Sequence, residues 1–145
     1  MAMEYMIDGT DKVLGRLASQ AAKLLLKKDS VVVVNAGKVV ITGHVQDLTA
    51  KYKQRIELKD KANPEHSPYW SRRPDMFVKR VVRGMLPYKK PSGKAAYKRL
   101  RVYDGFPEEA KKLKVFDVES KKPNQIFENT ITVTQLMQKL GYKGR

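Results

Sequence analysis

VVVVNAGKVVITG, residues 31–43, is the stretch on which the fold turns. Val31 to Val34 is an unbroken β-branched run. A half-exposed strand alternates apolar and polar residues, whereas a run apolar at every position marks a strand covered on both faces, as in a parallel sheet. Asn35-Ala36-Gly37 supplies a turn, Val39-Val40-Ile41 repeats the apolar pattern, and Thr42-Gly43 ends it. Upstream, Glu4 to Ile7 reads as a short strand closed by a turn at Asp8-Gly9-Thr10. Between these strands Leu14, Leu17, Ala18, Ala21, Leu24 and Leu25 recur at helical spacing up to Lys28. Lys23, Lys27 and Lys28 fall toward the C-terminal end, where the helix dipole favours cations. Downstream, a helix is expected from about Val45 to Glu57, with Val45, Leu48, Tyr52 and Ile56 inward and Lys51, Lys53 and Arg55 outward. The pattern is α/β. At 145 residues, one domain with a substantial core is expected.

Charge is distributed very unevenly. Residues 1–50 carry six basic and five acidic side chains and residues 102–145 eight and six, but the fifty-one between carry sixteen and four. From Arg72 to Arg101 there are eleven Lys or Arg and one acid, Asp75. Charge kept for solubility is mixed in sign. A one-sided block repels itself until a polyanion or counterions neutralise it. The pI near 10.0 points the same way. Cys is absent, so there is no disulfide framework and no thiolate metal site, which fits a reducing cytosol. No apolar run approaches the roughly 18–20 residues of a membrane span, and Met1 to Tyr5 does not read as a signal peptide.

The basic block has its own organisation. Lys59 to Pro74 shows no periodicity and holds three prolines, a histidine and the Tyr69-Trp70 pair. So long a loop is uncommon in a compact domain, and it reads as an extension ordered by a partner. Met76 to Leu86 returns to helix, with Phe77, Val78, Val81, Val82 and Met85 as the core stripe and Lys79, Arg80 and Arg83 on the outer face. Pro87 ends it. Tyr88 to Gly93 reads as a second basic loop, Ala95 to Leu100 as a short helix and Arg101-Val102-Tyr103 as a strand, before a turn at Asp104 to Pro107. Lys114 to Val118 is an extended candidate. Thr132 and Gln135 stand at capping-box spacing. Val133, Leu136, Met137 and Leu140 then follow at helical spacing, with Gly141 as the stop.

The helix at 76–86 presents three cations to one side. A merely solvated helix face usually mixes Glu with Lys, and no acid lies between Met76 and Tyr103. Contact with RNA or DNA phosphate is the better reading, Arg being suited to it by its planar fork. Tyr69 and Trp70, beside Arg72 and Arg73, have two open readings: stacking on unpaired bases, or anchoring the loop to the core. Enzyme signatures fare poorly. Asn35-Ala36-Gly37-Lys38-Val39 lacks the spaced glycines of a phosphate loop. His44 and His66 lie too far apart for zinc-ligand spacing. Nothing places them with Ser19, Ser67 or Ser71 as nucleophiles. No metal, cofactor or small-molecule substrate is expected.

Val82-Arg83-Gly84-Met85-Leu86-Pro87, a spacer containing Gly93, and then Leu100-Arg101-Val102-Tyr103-Asp104-Gly105 resemble the signature of the universal large-subunit ribosomal protein L-thirteen family. Gly15-Arg16-Leu17-Ala18-Ser19, Ala22-Lys23 and residues 31–43 are similar to that family's opening helix and strands. The resemblance covers roughly Ile7 to Pro107. Bacterial members usually follow the Val-Tyr-x-Gly strand with a His-Pro-His element, but here Phe106-Pro107-Glu108-Glu109 follows. With Arg72-Arg73-Pro74, that resembles the archaeal and eukaryotic branch, and the short tail favours an archaeal source.

The resemblance implies a three-layer α/β/α fold around a small, mainly parallel sheet. It also implies a non-catalytic cytoplasmic protein of the large subunit that binds rRNA, acts early in assembly and sits beside other large-subunit proteins. The expectation is one domain over residues 1–145 with basic extensions at about 58–75 and 87–99. Expected rRNA contacts are Lys51, Lys53, Arg55, Tyr69, Trp70, Arg72, Arg73, Lys79, Arg80, Arg83, Lys89, Lys90, Lys94, Lys98, Arg99 and Arg101. Such contacts fall mostly on phosphate and sugar. Two rivals are weaker. An RNA-modifying or nucleotide-handling enzyme needs a cleft with convergent acids or histidines. A DNA-binding regulator using 76–86 as recognition helix needs a preceding helix and tight turn.

Overall fold

In the computed structural model, which describes residues 2–118 and 129–144, the valine run forms an inner strand, β2 (Ser30–Val34). Its neighbours are β1 (Glu4–Asp8) and β4 (Leu100–Val102), and β5 (Lys114–Val115) lies beyond β1. The order is β4-β2-β1-β5, and every pairing is parallel. Val33 lies opposite Ile7 on one side and Val102 on the other.

Strand alternation divides the run between two layers. Val31 and Val33 join Ile7 and Leu100 in the large core cluster. That cluster also takes in α1 (Leu14–Leu26), α3 (Pro74–Gly84) and α4 (Pro91–Lys98). Val32 and Val34 join Met6 on the other face, under Ala110 of a short 3-10 helix at Glu108–Lys112. Val31, Val33 and Val34 are fully buried and Val32 is 4% exposed. Burying each contributes about 1.5 kcal/mol or more. The result is the expected three-layer α/β arrangement around a small parallel sheet.

The second half of the opening stretch goes elsewhere. Asn35 takes a left-handed conformation (φ 54°) and a 3-10 turn at Ala36–Lys38 redirects the chain. Strand β3 (Val40–Thr42) then pairs antiparallel with β6 (Thr130–Thr132), outside the main sheet. Helix α5 (Val133–Lys139) has the expected capping box: Gln135 N–H donates to Thr132 Oγ1, and Thr132 N–H donates to Gln135 Oε1. It ends with Tyr142 N–H on the Met137 carbonyl and Gly141 N–H on that of Gln138, with Gly141 at φ +106°. This is the glycine-stopped end that the sequence announces.

Helix α2 (Val45–Glu57) has the expected bounds but no fully buried residue, and Val45, Leu48 and Tyr52 pack half-buried against the cluster. In α3, Phe77, Val78 and Val82 are buried and Val81 half-buried, but Met85 is 43% exposed and Leu86 takes the core position. The helix ends at Gly84, after which Met85 and Leu86 donate to Val82 and Arg83, three residues back. That tighter winding turns Met85 off the stripe.

The 87–99 segment does not open as a loop through Gly93, as its prolines and glycine suggest, but is helical from Pro91. Pro91 occupies the first helical turn, where its missing N–H removes no helical bond. A Cβ on Gly93 would strike the Pro87 carbonyl oxygen, so glycine permits this helix to sit directly on the preceding turn. The strand expected at 101–103 correspondingly runs from Leu100 to Val102.

Candidate nucleic-acid interface

On the outer side of α3, Lys79, Arg80 and Arg83 are half-buried, and each lies over an aromatic ring. The Arg80 guanidinium is 3.8 Å from the centre of Trp70, Arg83 is 5.1 Å from Tyr88, and the Lys79 ammonium is 5.2 Å from Tyr97. Two aromatic groups flank the helix. Tyr88 and Tyr97 meet edge to face at 5.4 Å. On the other flank Tyr52 lies 6.2 Å from Trp70 and 5.1 Å from Phe77. Arg55 of α2 joins this flank, 5.3 Å from Trp70 and 5.4 Å from Tyr52. Rings hold cations by their quadrupole, so these charges are positioned rather than free to sweep through solvent.

Burial, and after it the crowding of like charge, leaves a mark. Burial first, then the charges of Arg83 and Arg55, lower the Arg80 pKa below the usual arginine value. Burial pushes the Tyr97 hydroxyl up, against the opposing charges of Arg83 and Arg80.

The 58–73 segment approaching α3 is built on side-chain turns. Asp60 Oδ1 accepts from the N–H groups of Ala62 and Asn63, Asn63 Oδ1 accepts from Glu65, and Ser67 Oγ accepts from Asp60. Trp70 packs half-buried on the core and Arg80 donates to the Tyr69 carbonyl at 2.6 Å, while the Tyr69 ring is 82% exposed. Of the two readings, Trp70 therefore has the anchoring geometry and Tyr69 the geometry for stacking. The segment expected to await a partner already has an internal frame.

The remaining basic residues separate into groups. Lys51, Lys53, Lys89, Lys90, Lys94 and Lys98 are exposed on α2, the α3–α4 turn and α4. Arg72 donates to the Leu140 carbonyl at 2.8 Å, tying the loop to the end of α5. Arg73 grips Asp75 through two hydrogen bonds of 3.2 and 2.8 Å. Arg99 donates to the carbonyls of Leu25 (2.8 Å) and Asp29 (3.3 Å), satisfying the C-terminal end of α1. Arg101 shares a small cavity with Val32 and Ala110, on the far face of the sheet from α3. Of the signature residues, Gly84 closes α3, Leu86 is buried, and Met85 and Pro87 are exposed. Val102 and Tyr103 are half-buried, and the Gly105 carbonyl accepts from Asn35. Sequence reasoning missed Tyr52, Tyr88 and Tyr97 as supports. Only Tyr52, three residues before Arg55 on one helix, carried a local signal.

The serines considered as nucleophiles have local roles: Ser19 donates to the Arg16 carbonyl, and Ser67 and Ser71 accept from Asp60 and Arg73. His66 sits against Asn63 in its own turn. At the carboxyl ends of β1 and β2 the chain packs closely on itself: a Cβ on Gly9 would come within 2.6 Å of Val39, and one on Gly37 would strike Thr134 and Asp104. Among the described residues no His, Cys, Asp or Glu cluster has a metal-binding arrangement, and no helix is long and apolar enough to cross a membrane. Sixteen residues, with a 3-10 turn at Pro64–His66, separate α2 from α3, where a DNA-reading pair has a tight turn of a few residues.

Comparison with known proteins gives a consistent result. The sequence model of a family described as Ribosomal protein L13 matches residues 2–109. The large ribosomal subunit protein uL13 of Methanosphaera stadtmanae is 44% identical over 125 residues, covering 86% of this chain and 88% of that protein. The protein of the same name from Methanocaldococcus jannaschii is 44% identical over 138 residues, covering 94% and 97%. That of Archaeoglobus fulgidus is 39% identical over 140 residues, covering 95% and 88%.

Proposed function

Because the chain belongs to the ribosomal protein L13 family, with archaeal relatives in the large subunit, we propose that it binds large-subunit rRNA through the outer face of α2, α3 and α4. In this reading it is a non-catalytic, single-domain constituent of the large subunit that holds rRNA segments together early in assembly and packs beside neighbouring large-subunit proteins. The observation that carries it is uncompensated charge. Of the sixteen cations in residues 51–101, Arg73 alone has a carboxylate within 4.0 Å among the described residues. The others have no carboxylate that close among the described residues, and a phosphate backbone supplies counter-charge in a row.

Lys79, Arg80, Arg83, Arg55 and the exposed lysines of the α3–α4 turn and α4 carry this role, with Tyr69 available to an unpaired base. Arg99, turned inward, and Arg101, on the far face of the sheet, fall outside that surface. Such a surface reads RNA shape more than sequence, because its donors reach phosphate and ribose. Sedimentation tests the proposal. The native chain should co-migrate with large subunits after a high-salt wash that strips loosely bound proteins. Release into the supernatant at moderate salt, with the subunits intact, counts against it.

A further inference from the structure

Six of the nine glycines have a reason inside this chain. Gly43, Gly141 and Gly144 have positive φ, and at Gly9, Gly37 and Gly93 a Cβ would collide with neighbouring atoms. Gly15, Gly84 and Gly105 have neither reason, and of these three it is Gly84 that borders a groove lined with cations and an aromatic ring. It is the exposed last residue of α3, with nothing within 4 Å of where a Cβ would stand. Glycine disfavours a helix relative to alanine, so the chain carries a local cost there for which its own packing gives no return.

Gly84 lines an open groove of about 510 Å³ at the α3–α4 turn. Arg83, Lys89 and Lys90 line it with positive charge, and Leu86, Pro87 and Tyr88 supply an apolar wall. Tyr88 is 39% exposed, and its ring is held by Arg83 and Tyr97. Lys90 also occupies the N-cap position of α4, so the positive end of that helix dipole lies at the rim. Cations, a planar ring and a bare backbone floor together suit a group that is anionic at one end and flat at the other.

We propose that this groove seats one nucleotide of an RNA strand, with its phosphate toward Arg83, Lys89 and Lys90, its ribose or base on Tyr88, and its backbone close against Gly84. Glycine allows that approach because it has no side chain. The inference rests on the proposed function and makes it specific to one subsite. An acidic protein segment would match the cations, but the exposed ring and the continuity with Lys79 and Arg80 along α3 favour a strand of regularly spaced phosphates.

The test uses the full chain and an in vitro transcript of archaeal large-subunit rRNA. Gly84→Ala and Gly84→Leu should keep or raise the melting temperature and weaken transcript binding at least tenfold, more for Leu. Gly15→Ala supplies the control, because Gly15 is equally open but lies outside the groove. It should bind within twofold of wild type. Lys94→Gln with Lys98→Gln, exposed lysines of α4 outside the groove, separates the two levels of the reading. If that pair weakens binding while both Gly84 variants bind within twofold of wild type, the basic face stands and the nucleotide seat is overturned. A wild-type chain that binds no transcript overturns both. Crosslinking of Tyr88 in intact subunits exclusively to a neighbouring protein assigns the groove to that protein and also overturns the seat.

Discussion

Arg80 holds Trp70 from both ends: its guanidinium lies 3.8 Å from the ring centre, and its Nη1 donates to the carbonyl of the preceding residue, Tyr69. One side chain of α3 thus fixes the end of the 58–73 segment and presents a cation on the proposed RNA face. On the proposed function, binding and folding are coupled at this residue.

Arg80→Gln therefore does more than remove a surface charge. Losing the cation–ring contact and the hydrogen bond should cost about 1–2 kcal/mol. Arg83→Gln, with a longer ring contact and no such tether, should cost less than about 1 kcal/mol. Trp70 is the only tryptophan, so its emission reports the change directly. A red shift and a lower melting temperature are expected for Arg80→Gln, and unchanged emission would show that the stack does not hold the ring.

Binding to rRNA should be steeply salt-dependent. If about six to ten cations meet phosphate, log K against log salt should fall with a slope of about −4 to −9, taking 0.7–0.9 per contact. A slope shallower than about −2 in a titration would leave the basic face solvated.

Arg99 should behave as a structural residue despite its place in the basic block. Arg99→Gln removes donors from the Leu25 and Asp29 carbonyls and should lower stability by about 1–3 kcal/mol. Its salt slope for RNA should match wild type. A slope reduced by about one unit with unchanged melting would mean that Arg99 contacts phosphate instead.

Asp8 gives the fold a pH dependence. Burial raises its pKa, but hydrogen bonds from Asn35 and Thr10 and the nearby Lys38 outweigh that and leave it below the usual aspartate value. A group lowered in the folded state stabilises it fully above its unfolded pKa of about 3.9, and that contribution is lost as pH falls through the folded value. Asp8→Asn should therefore melt earlier than wild type at pH 7, with the gap closing below about pH 4. A gap that persists at pH 2 would point to lost packing instead of lost charge.

Much of this molecule was legible in the chain because its signals are local. The unbroken valine run announced a strand covered on both sides, and helical period placed the inner face of α1 and, in α2, Val45, Leu48 and Tyr52. Thr132, Gln135 and Gly141 marked the ends of α5, since capping depends on residues three or four apart. The concentration of charge in residues 51–101 is likewise a property of sequence alone. Tertiary structure decided the rest. Val40–Thr42 repeats the valine pattern but pairs with Thr130–Thr132, because an apolar strand does not name its partner. Pro91 and Gly93 read as loop residues, yet they start a helix, because its first turn rests on the Pro87 carbonyl. Arg80, Arg83, Arg99 and Arg101 are alike in sequence, but they stack on Trp70, lie over Tyr88, satisfy the end of α1 and face away across the sheet. Arg99 reaches carbonyls 70 and 74 residues away. What a charged side chain does depends on which groups the fold brings within a few ångströms, and no local pattern carries that information.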